Sequence, residues 1–232
     1  MRKLKGTLFE MHTSMHKHVA GRTLDYYPSD TKQFEKFKKD ITYRFNNQGF
    51  RADHDIDEVT GVQYDKAQGP INAFIGCSNT MGIGVNLEET WCHHVNQRVG
   101  GVMINLGQAG GAAETCYRIL RHWLPIIRPK RLYMLSPPAV RREFWMPETQ
   151  QPEIAGPRTS MPKILMADHE IHINRLRVLD AIRYHAMIND VEFHYHEFRK
   201  IHDEMNDFMD FARDGMHPGP VTHQHIATKF ND

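Results

Sequence analysis

Apolar and polar positions follow different patterns before and after residue 69. In the earlier part, the stretch from Thr31 to Phe45 repeats apolar residues at spacings of three and four, at Phe34, Phe37, Ile41 and Phe45. This spacing predicts an amphipathic helix, which the polar NNQG sequence at 46–49 would end, with Gly49 in a left-handed conformation. Since one helix cannot bury its own apolar stripe, we expect residues 1–68 to form an N-terminal extension packed on the main domain.

Short apolar runs alternate with helical patterns over residues 69–232, which we take as the main domain. The runs predict strands at 71–76, 102–107, 131–136 and 191–198, and the helical patterns lie at 88–98, 112–123, 167–188 and from about Val221. Residues 137–162 contain six prolines without a period, so a long loop is expected there. Strands that alternate with helices predict an α/β fold with a mostly parallel sheet covered by helices on both faces.

Three turns rich in glycine or small polar residues follow the first three predicted strands. They are Gly76-Cys77-Ser78, the segment Gly107–Gly111, and Ser136-Pro137. Right-handed crossovers bring the carboxyl ends of parallel strands to one edge, and open α/β sheets bind their ligands at that edge. The sequence therefore predicts one crevice lined by these three turns.

Composition limits the classes of partner. Of 232 residues, 40% are apolar and 25% are charged, and the formal net charge is +1, so no global field would draw nucleic acid or an anionic membrane. No apolar run approaches the ~20 residues of a membrane span, and the basic N-terminus lacks the apolar stretch of a secretory signal. Three cysteines without a CxxC pair suit a reducing compartment. We expect a cytoplasmic protein that acts on a small molecule; self-association into a homo-oligomer is left open.

Sixteen histidines raise the question of a metal site. They cluster in four places: Cys92-His93-His94, Asp168-His169 with His172, His194-x-His196, and His223-x-His225. A metal site needs three or four converging ligands, and no cluster has a zinc-finger spacing or an HExxH motif. The GQAGG sequence also lacks the spacing of a dinucleotide-binding turn. We expect no metal and no cofactor; a metal-dependent enzyme that uses the histidine clusters is the weakest of three hypotheses.

Ser78 is a candidate nucleophile, because it follows a buried strand on a tight turn. A nucleophilic serine needs a base and a carboxylate that orients the base. The DGMHPG sequence at 214–219 offers Asp214 for the Nδ1 proton of His217, whose Nε2 would lie about 2.6–3.2 Å from the Ser78 Oγ. Two alternatives stay open: the Asp-x-x-His pair only bridges a loop, or Cys77 is the nucleophile.

In combination, the motifs FIGCSNTMGIG, INLGQAGG and DGMHPG resemble the SGNH (GDSL-type) hydrolase family over roughly residues 70–232. The resemblance implies a flavodoxin-like three-layer α/β/α sandwich. It also implies ester hydrolysis through an acyl-serine, with Ser78 as nucleophile and with Asp214 and His217 completing the catalytic triad. In that family, the backbone N–H groups at the positions of Ser78 and Gly110 form part of the oxyanion hole.

Two departures from the family pattern bear on activity. Cys77 stands where the family has Asp, and LSPPAVRREFW replaces the third block, so the asparagine that completes the oxyanion hole is missing. Ser136, Arg141 or Arg142 could take its place, and loss of one such donor typically costs about 10²–10³ in rate. We predict an esterase or deacylase for a small ester, for example an acylated sugar. The alternative is a non-catalytic binding or structural protein that retains the fold.

Overall fold

The computed structural model describes residues 19–25, 39–65, 68–146, 151–156 and 168–230. The strands in these ranges are β1 (Thr23–Leu24), β2 (Tyr43–Arg44), β3 (Ile56–Asp57), β4 (Gly61–Val62), β5 (Ile71–Ile75), β6 (Val102–Asn105), β7 (Arg131–Ser136), β8 (Arg142–Met146), β9 (Gln151–Ala155) and β10 (Glu192–Glu197). The α-helices are α1 (Ser78–Met81), α2 (Trp91–Val99), α3 (Ala113–Ile127), α4 (Asp168–Ile188), α5 (Phe198–Met205) and α6 (Pro220–Thr228).

The central sheet has four strands in the order β10-β7-β5-β6, and each neighbouring pair is parallel. Read in chain order, the first strand lies between the second and the third, which is the arrangement of flavodoxin-like folds. The predicted α/β fold with a parallel sheet is confirmed. All four strands therefore end at one edge of the sheet, where the three turns predicted from the sequence follow β5, β6 and β7.

Alternate residues of the central strands enter two separate cores. Ala73 and Ile75 of β5 lie in one cluster, with residues of α3 and α4, whereas Phe74 lies in the other, with Trp91 of α2 and Ile226 of α6. This period of two is the geometry of a strand that is buried on both faces. Helices thus cover the sheet on both sides in a three-layer sandwich.

Apolar residues of the N-terminal extension pack on the main domain. Ile41, Tyr43 and Phe45 share a cluster with Met81 and Ile83. Further along the chain, the ring of Phe50 lies edge-on to that of Trp123 in α3, with centroids 6.0 Å apart. Apolar residues of the extension therefore complete two parts of the core.

The helix predicted at 31–45 is wrong for the residues that the structure describes. Residues 39–42 have no regular structure and Tyr43–Arg44 form β2, whereas residues 31–38, which include Phe34 and Phe37, lie outside the described ranges. Ile41, Tyr43 and Phe45 are buried at alternate positions, as in an extended segment. The spacing of four residues between Ile41 and Phe45 fits both the helical period and the strand period. The apolar pattern therefore did not distinguish a helix from a strand.

The predicted long loop at 137–162 is also wrong in part. Its residues 142–146 and 151–155 form an antiparallel hairpin, β8–β9, which the prolines and the lack of a clear alternation concealed. Helix α5 was not predicted either.

No helix in the described ranges is long and apolar enough to cross a membrane.

Candidate active site

Ser78 begins α1, immediately after β5 and the two-residue link Gly76-Cys77. The link is tightly packed: a side chain at Gly76 would come within 2.6 Å of the Leu135 carbonyl oxygen of β7. Such close contact fixes the direction in which the chain leaves the strand. Ser78 is 6% exposed, and its Oγ lies 4.0 Å from the Cys77 Sγ, a weak hydrogen bond.

Asp214 and His217 form a hydrogen-bonded pair on the loop of residues 210–219, which we call the dyad loop. The His217 Nδ1 lies 2.5 Å from the Asp214 Oδ2, and the Asp214 Oδ1 accepts hydrogen bonds from the backbone N–H groups of Met216 and His217 at 2.9 and 3.0 Å. The carboxylate is 1% exposed and the imidazole 20%. This half of the expected triad geometry is present.

Electrostatics favours an ionised Asp214. Burial alone would raise the pKa of the carboxyl, but the hydrogen bond and charge of His217, with the two backbone N–H groups, lower it below its usual value. An ionised carboxylate at Nδ1 holds that nitrogen as the donor, which leaves Nε2 as the basic nitrogen. The pair can therefore act as an oriented base.

Gly84 brings the dyad loop against the chain that follows Ser78. A side chain at Gly84 would meet the Ala212 Cβ at 2.7 Å and the Arg213 nitrogen at 3.0 Å, and the residue has a φ of +78°. The Gly84 carbonyl accepts the Arg213 N–H at 3.0 Å. Only glycine allows this approach, so the GxG sequence after Ser78 serves to dock the Asp–His pair.

In the described part of the chain, no hydrogen bond joins the Ser78 Oγ to His217; the hydrogen bond that the Oγ makes there goes to the Cys77 Sγ. The other half of the expected geometry is therefore not formed in this structure. Catalytic hydrogen bonds are often long without substrate and tighten in the complex, so the triad stays a prediction.

The two backbone donors expected for an oxyanion hole are available. Neither the Ser78 N–H nor the Gly110 N–H donates to an acceptor within the described residues. Gly110 has a φ of +77° in the turn closed by the Gly111 N–H to the Gln108 carbonyl, at 2.9 Å. Ser136, by contrast, is buried and its hydroxyl donates to the Pro137 carbonyl at 3.1 Å.

The two candidate arginines differ in their surroundings. The Arg142 Nε donates to the Glu114 Oε1 at 2.8 Å, so α3 holds this guanidinium. The Arg141 Nη1 is buried and has no hydrogen-bond partner among the residues that the structure describes. Of the two, Arg141 is the one with a donor to spare.

Cys77, Cys92 and Cys116 are buried free thiols. Burial raises the pKa values of Cys92 and Cys116 well above the usual range, which makes both thiols poor nucleophiles. Cys77 is 2% exposed and lies beside the candidate serine. It is thus the one cysteine of the three that directly adjoins the site.

Three histidines of the clusters seen in the sequence contact aromatic rings or backbone. His194 stacks on the Tyr133 ring and His196 lies edge-on to Phe230, so this pair of β10 lies among aromatic rings. His223 is fully buried and its Nδ1 accepts the Trp91 N–H at 3.2 Å. Burial lowers the pKa of His223 to about 3, so the ring is neutral at ordinary pH. Within the described ranges, no three His, Cys, Asp or Glu side chains are grouped as a metal site would require.

Several residues near the site had no signal in the sequence. Glu143 forms a buried ion pair with Arg118 of α3 at 2.7 Å and anchors the β8–β9 hairpin. Tyr43 and Arg51 of the extension contact the segment after Ser78, and Arg213 of the dyad loop contacts the extension. These contacts join distant parts of the chain, which spacing alone cannot indicate.

Comparisons with known proteins return distant structural likenesses. No family model matches the chain, and no curated protein does. Among solved structures, a protein described as lipolytic and of the G-D-S-L family, from Desulfitobacterium hafniense, is 13% identical with a TM-score of 0.45, over 69% of this chain and 99% of that one. A lipase/acylhydrolase from Enterococcus faecalis is 12% identical with a TM-score of 0.39, over 69% and 92% of the two chains. A mutant acetyl-xylooligosaccharide esterase from Geobacillus is 11% identical with a TM-score of 0.38, over 70% and 93%. At such scores these likenesses carry no argument about chemistry, which has to come from the site itself.

Proposed function

We propose that this protein is a serine hydrolase that cleaves a small ester through an acyl-serine intermediate. The observation that carries the proposal is the Asp214–His217 hydrogen bond of 2.5 Å on a loop that docks, at Gly84, against the segment following Ser78. A nucleophile, a base and a carboxylate that orients the base are the parts that acyl transfer requires.

The proposed reaction has two halves. His217 Nε2 takes the Ser78 proton as the Oγ attacks the ester carbonyl, and it then protonates the leaving alcohol as the acyl-serine forms. A water molecule, deprotonated by the same nitrogen, attacks the acyl-serine; the nitrogen then returns this proton to the Ser78 Oγ as the bond to the acyl group breaks and the acid leaves. The unused N–H groups of Ser78 and Gly110 supply donors for the tetrahedral oxyanion in both halves.

Arg141 is proposed as the side-chain donor in place of the missing asparagine. Its buried Nη1 without a hydrogen-bond partner in the described residues supports this role, and the ion pair of Arg142 with Glu114 makes that residue the second choice. A guanidinium suits either the oxyanion or a carboxylate on the substrate. As an oxyanion donor it would raise kcat, whereas as a substrate clamp it would mainly lower KM.

Hydrolysis of short-chain p-nitrophenyl esters by the full chain tests the proposal. We expect the wild type to release p-nitrophenol and Ser78→Ala to lose the activity. Asp214→Asn should lower kcat by about 10³–10⁴, because its amide N–H₂ would face Nδ1 and leave Nε2 protonated, the wrong tautomer for a base.

Asp57→Asn is the matched control. The Asp57 Oδ1 also accepts two backbone N–H groups, from Val59 and Thr60 at 2.9 and 2.7 Å, but it serves an exposed turn of the extension. This variant should keep the wild-type kcat. Absence of cleavage by the wild type across the ester series would favour the non-catalytic alternative.

A further inference from the structure

Arg51 of the N-terminal extension is buried against the segment that follows the candidate nucleophile. Its side chain is 1% exposed, and the guanidinium donates to the carbonyls of Met81 and Gly82 through Nη1, and to that of Val85 through Nη2 at 2.8 Å. Residues 76–85 are hereafter called the serine turn. Arg51 thus binds three carbonyl groups of the serine turn, one at the last residue of α1 and two just beyond it, and α1 begins with Ser78.

Tyr43, which also belongs to the extension, binds the serine turn as well. Its hydroxyl accepts the Gly84 N–H at 2.7 Å, and its ring lies 4.3 Å from the Arg51 guanidinium carbon in a cation–π contact. Tyr43 is fully buried. Two side chains of the extension therefore satisfy backbone groups on both sides of the Gly84 position.

Arg213 of the dyad loop, in turn, binds the N-terminal extension through its side chain. Its Nη1 donates to the Lys39 carbonyl and its Nη2 to the Asp25 carbonyl, both at 2.9 Å. Its own backbone N–H binds the Gly84 carbonyl at 3.0 Å. The next residue in the chain is Asp214, the carboxylate that orients His217.

We infer that the N-terminal extension is a positioning element of the active site, with Tyr43, Arg51 and Arg213 as positioning residues. The extension binds the serine turn and the dyad loop, and the two also bind each other at Gly84, so the three segments form a closed set of contacts. This set fixes the separation between Ser78 and His217. The inference rests on the proposed function in naming the chemistry, but its geometric content is independent of it.

The physical reason is that little regular structure holds either segment: the serine turn contains the four-residue α1, and the dyad loop contains a single bridge between Phe211 and Pro218. Loop carbonyls and amides are held only by the partners they find, and a buried guanidinium offers five donors in a rigid fork. A misplacement of about 1 Å in a reacting pair can cost on the order of 10²-fold in rate. Contacts that set this separation should therefore act on the chemical step more than on substrate binding.

The experiment compares Tyr43→Phe, Arg51→Met and Arg213→Met in the full chain. Arg98→Met is the matched control, since Arg98 also donates to two backbone carbonyls, those of Ala227 and Phe230, at 2.7 and 3.2 Å, but at the end of α6. Two kinds of measurement are made on each variant. One is kcat and KM on a p-nitrophenyl ester, per folded molecule; the other is amide hydrogen exchange at Met216 and His217, whose N–H groups bind Asp214.

We expect the two arginine variants to lower kcat at least ten-fold and Tyr43→Phe about three- to ten-fold, with KM within two-fold of the wild type. Exchange at Met216 and His217 should accelerate in all three variants and stay unchanged in Arg98→Met. Tyr43→Phe removes a single oxygen atom, so we expect this variant to fold. If an arginine variant does not fold, Tyr43→Phe still tests the inference.

Wild-type kcat together with wild-type exchange in Tyr43→Phe would overturn the inference, as would equal effects in Arg98→Met. If the wild type cleaves no ester, the proposed function fails. The positioning role is then tested by the exchange rates of the Met216 and His217 amides alone. The two failures are therefore distinguishable.

Discussion

At the residue scale, burial gives two histidines of one short segment opposite properties. His217 keeps part of its ring in solvent and gains a carboxylate partner, whereas His223, six residues later, is fully buried and pairs with a backbone N–H. The first arrangement suits a base that exchanges protons with substrate and water. The second keeps a neutral acceptor at the start of α2, where the Trp91 N–H has no partner within the helix.

His223 should make the protein sensitive to mild acid. Its pKa is about 3 in the folded chain, mainly because of burial, and near 6.5 when unfolded, so its contribution to stability is complete above 6.5 and falls as the pH drops toward 3. Between pH 7 and pH 5 we expect this residue alone to lower the free energy of unfolding by about 2 kcal/mol. Urea unfolding at the two pH values measures the change.

His223→Asn provides the comparison, because its amide oxygen can still accept the Trp91 N–H but does not titrate in this range. The loss of stability between pH 7 and pH 5 should be smaller by about 2 kcal/mol in this variant. An equal loss in both proteins would show that His223 is protonated without unfolding, contrary to its environment.

At the element scale, ion pairs hold the β8–β9 hairpin against α3. Glu143 binds Arg118 through both oxygens, at 2.7 and 2.9 Å, and also accepts the Thr115 hydroxyl at 2.6 Å. Arg142 binds Glu114, which also accepts a hydrogen bond from Asn174 of α4. A hairpin anchored in this way places Arg141, the residue before β8, at a defined position.

Glu143→Gln should destabilise the fold by about 3–5 kcal/mol, because it leaves the Arg118 charge buried without a carboxylate. Glu192→Gln is the control: that carboxylate is 55% exposed and lies 3.6 Å from Arg131, so its loss should cost at most about 1 kcal/mol. Urea unfolding of both variants at pH 7 measures the difference. Similar small losses in the two variants would mean that the Glu143 pair is not desolvated.

The sequence predicted elements whose signal is local and missed those stabilised by distant contacts. The apolar runs at 71–76, 102–107 and 131–136 and the helical pattern at 167–188 are properties of the segments themselves, and the structure has β5, β6, β7 and α4 within these ranges. The β8–β9 hairpin depends instead on Glu143 reaching α3, and the segment at 39–45 on a pocket formed by Met81 and Ile83. At the site, the DxxH spacing was enough to pair Asp214 with His217, whereas the roles of Tyr43, Arg51 and Arg213 needed the tertiary fold.

At the scale of the whole molecule, the extension and the main domain share their cores. Phe50, Ile56 and Val62 belong to the same cluster as the inner residues of β5 and α3, and Tyr43 and Phe45 belong to that of Met81. Removal of the extension would expose these surfaces and break the contacts of Arg51 and Arg213. Stability of the two parts should therefore be coupled.

Limited proteolysis tests this coupling. We expect no stable fragment that begins near residue 66, and a single unfolding transition for the intact chain, because separated parts would each expose core residues. Mass spectrometry of the digest and a thermal unfolding curve provide the readouts. A resistant, cooperatively folded fragment without residues 1–65 would mean that the extension is an independent unit.

The most direct test of the central claim is the reaction of the full chain with a fluorophosphonate probe, followed by peptide mapping of the modified residue. The reagent reacts with an activated nucleophile, so it can be used before the substrate is known. We predict a single phosphonylated residue, Ser78, with labelling abolished in Ser78→Ala and retained in Cys77→Ala. No labelling of the wild type, or a modification that maps to Cys77 and persists in Ser78→Ala, would contradict the account.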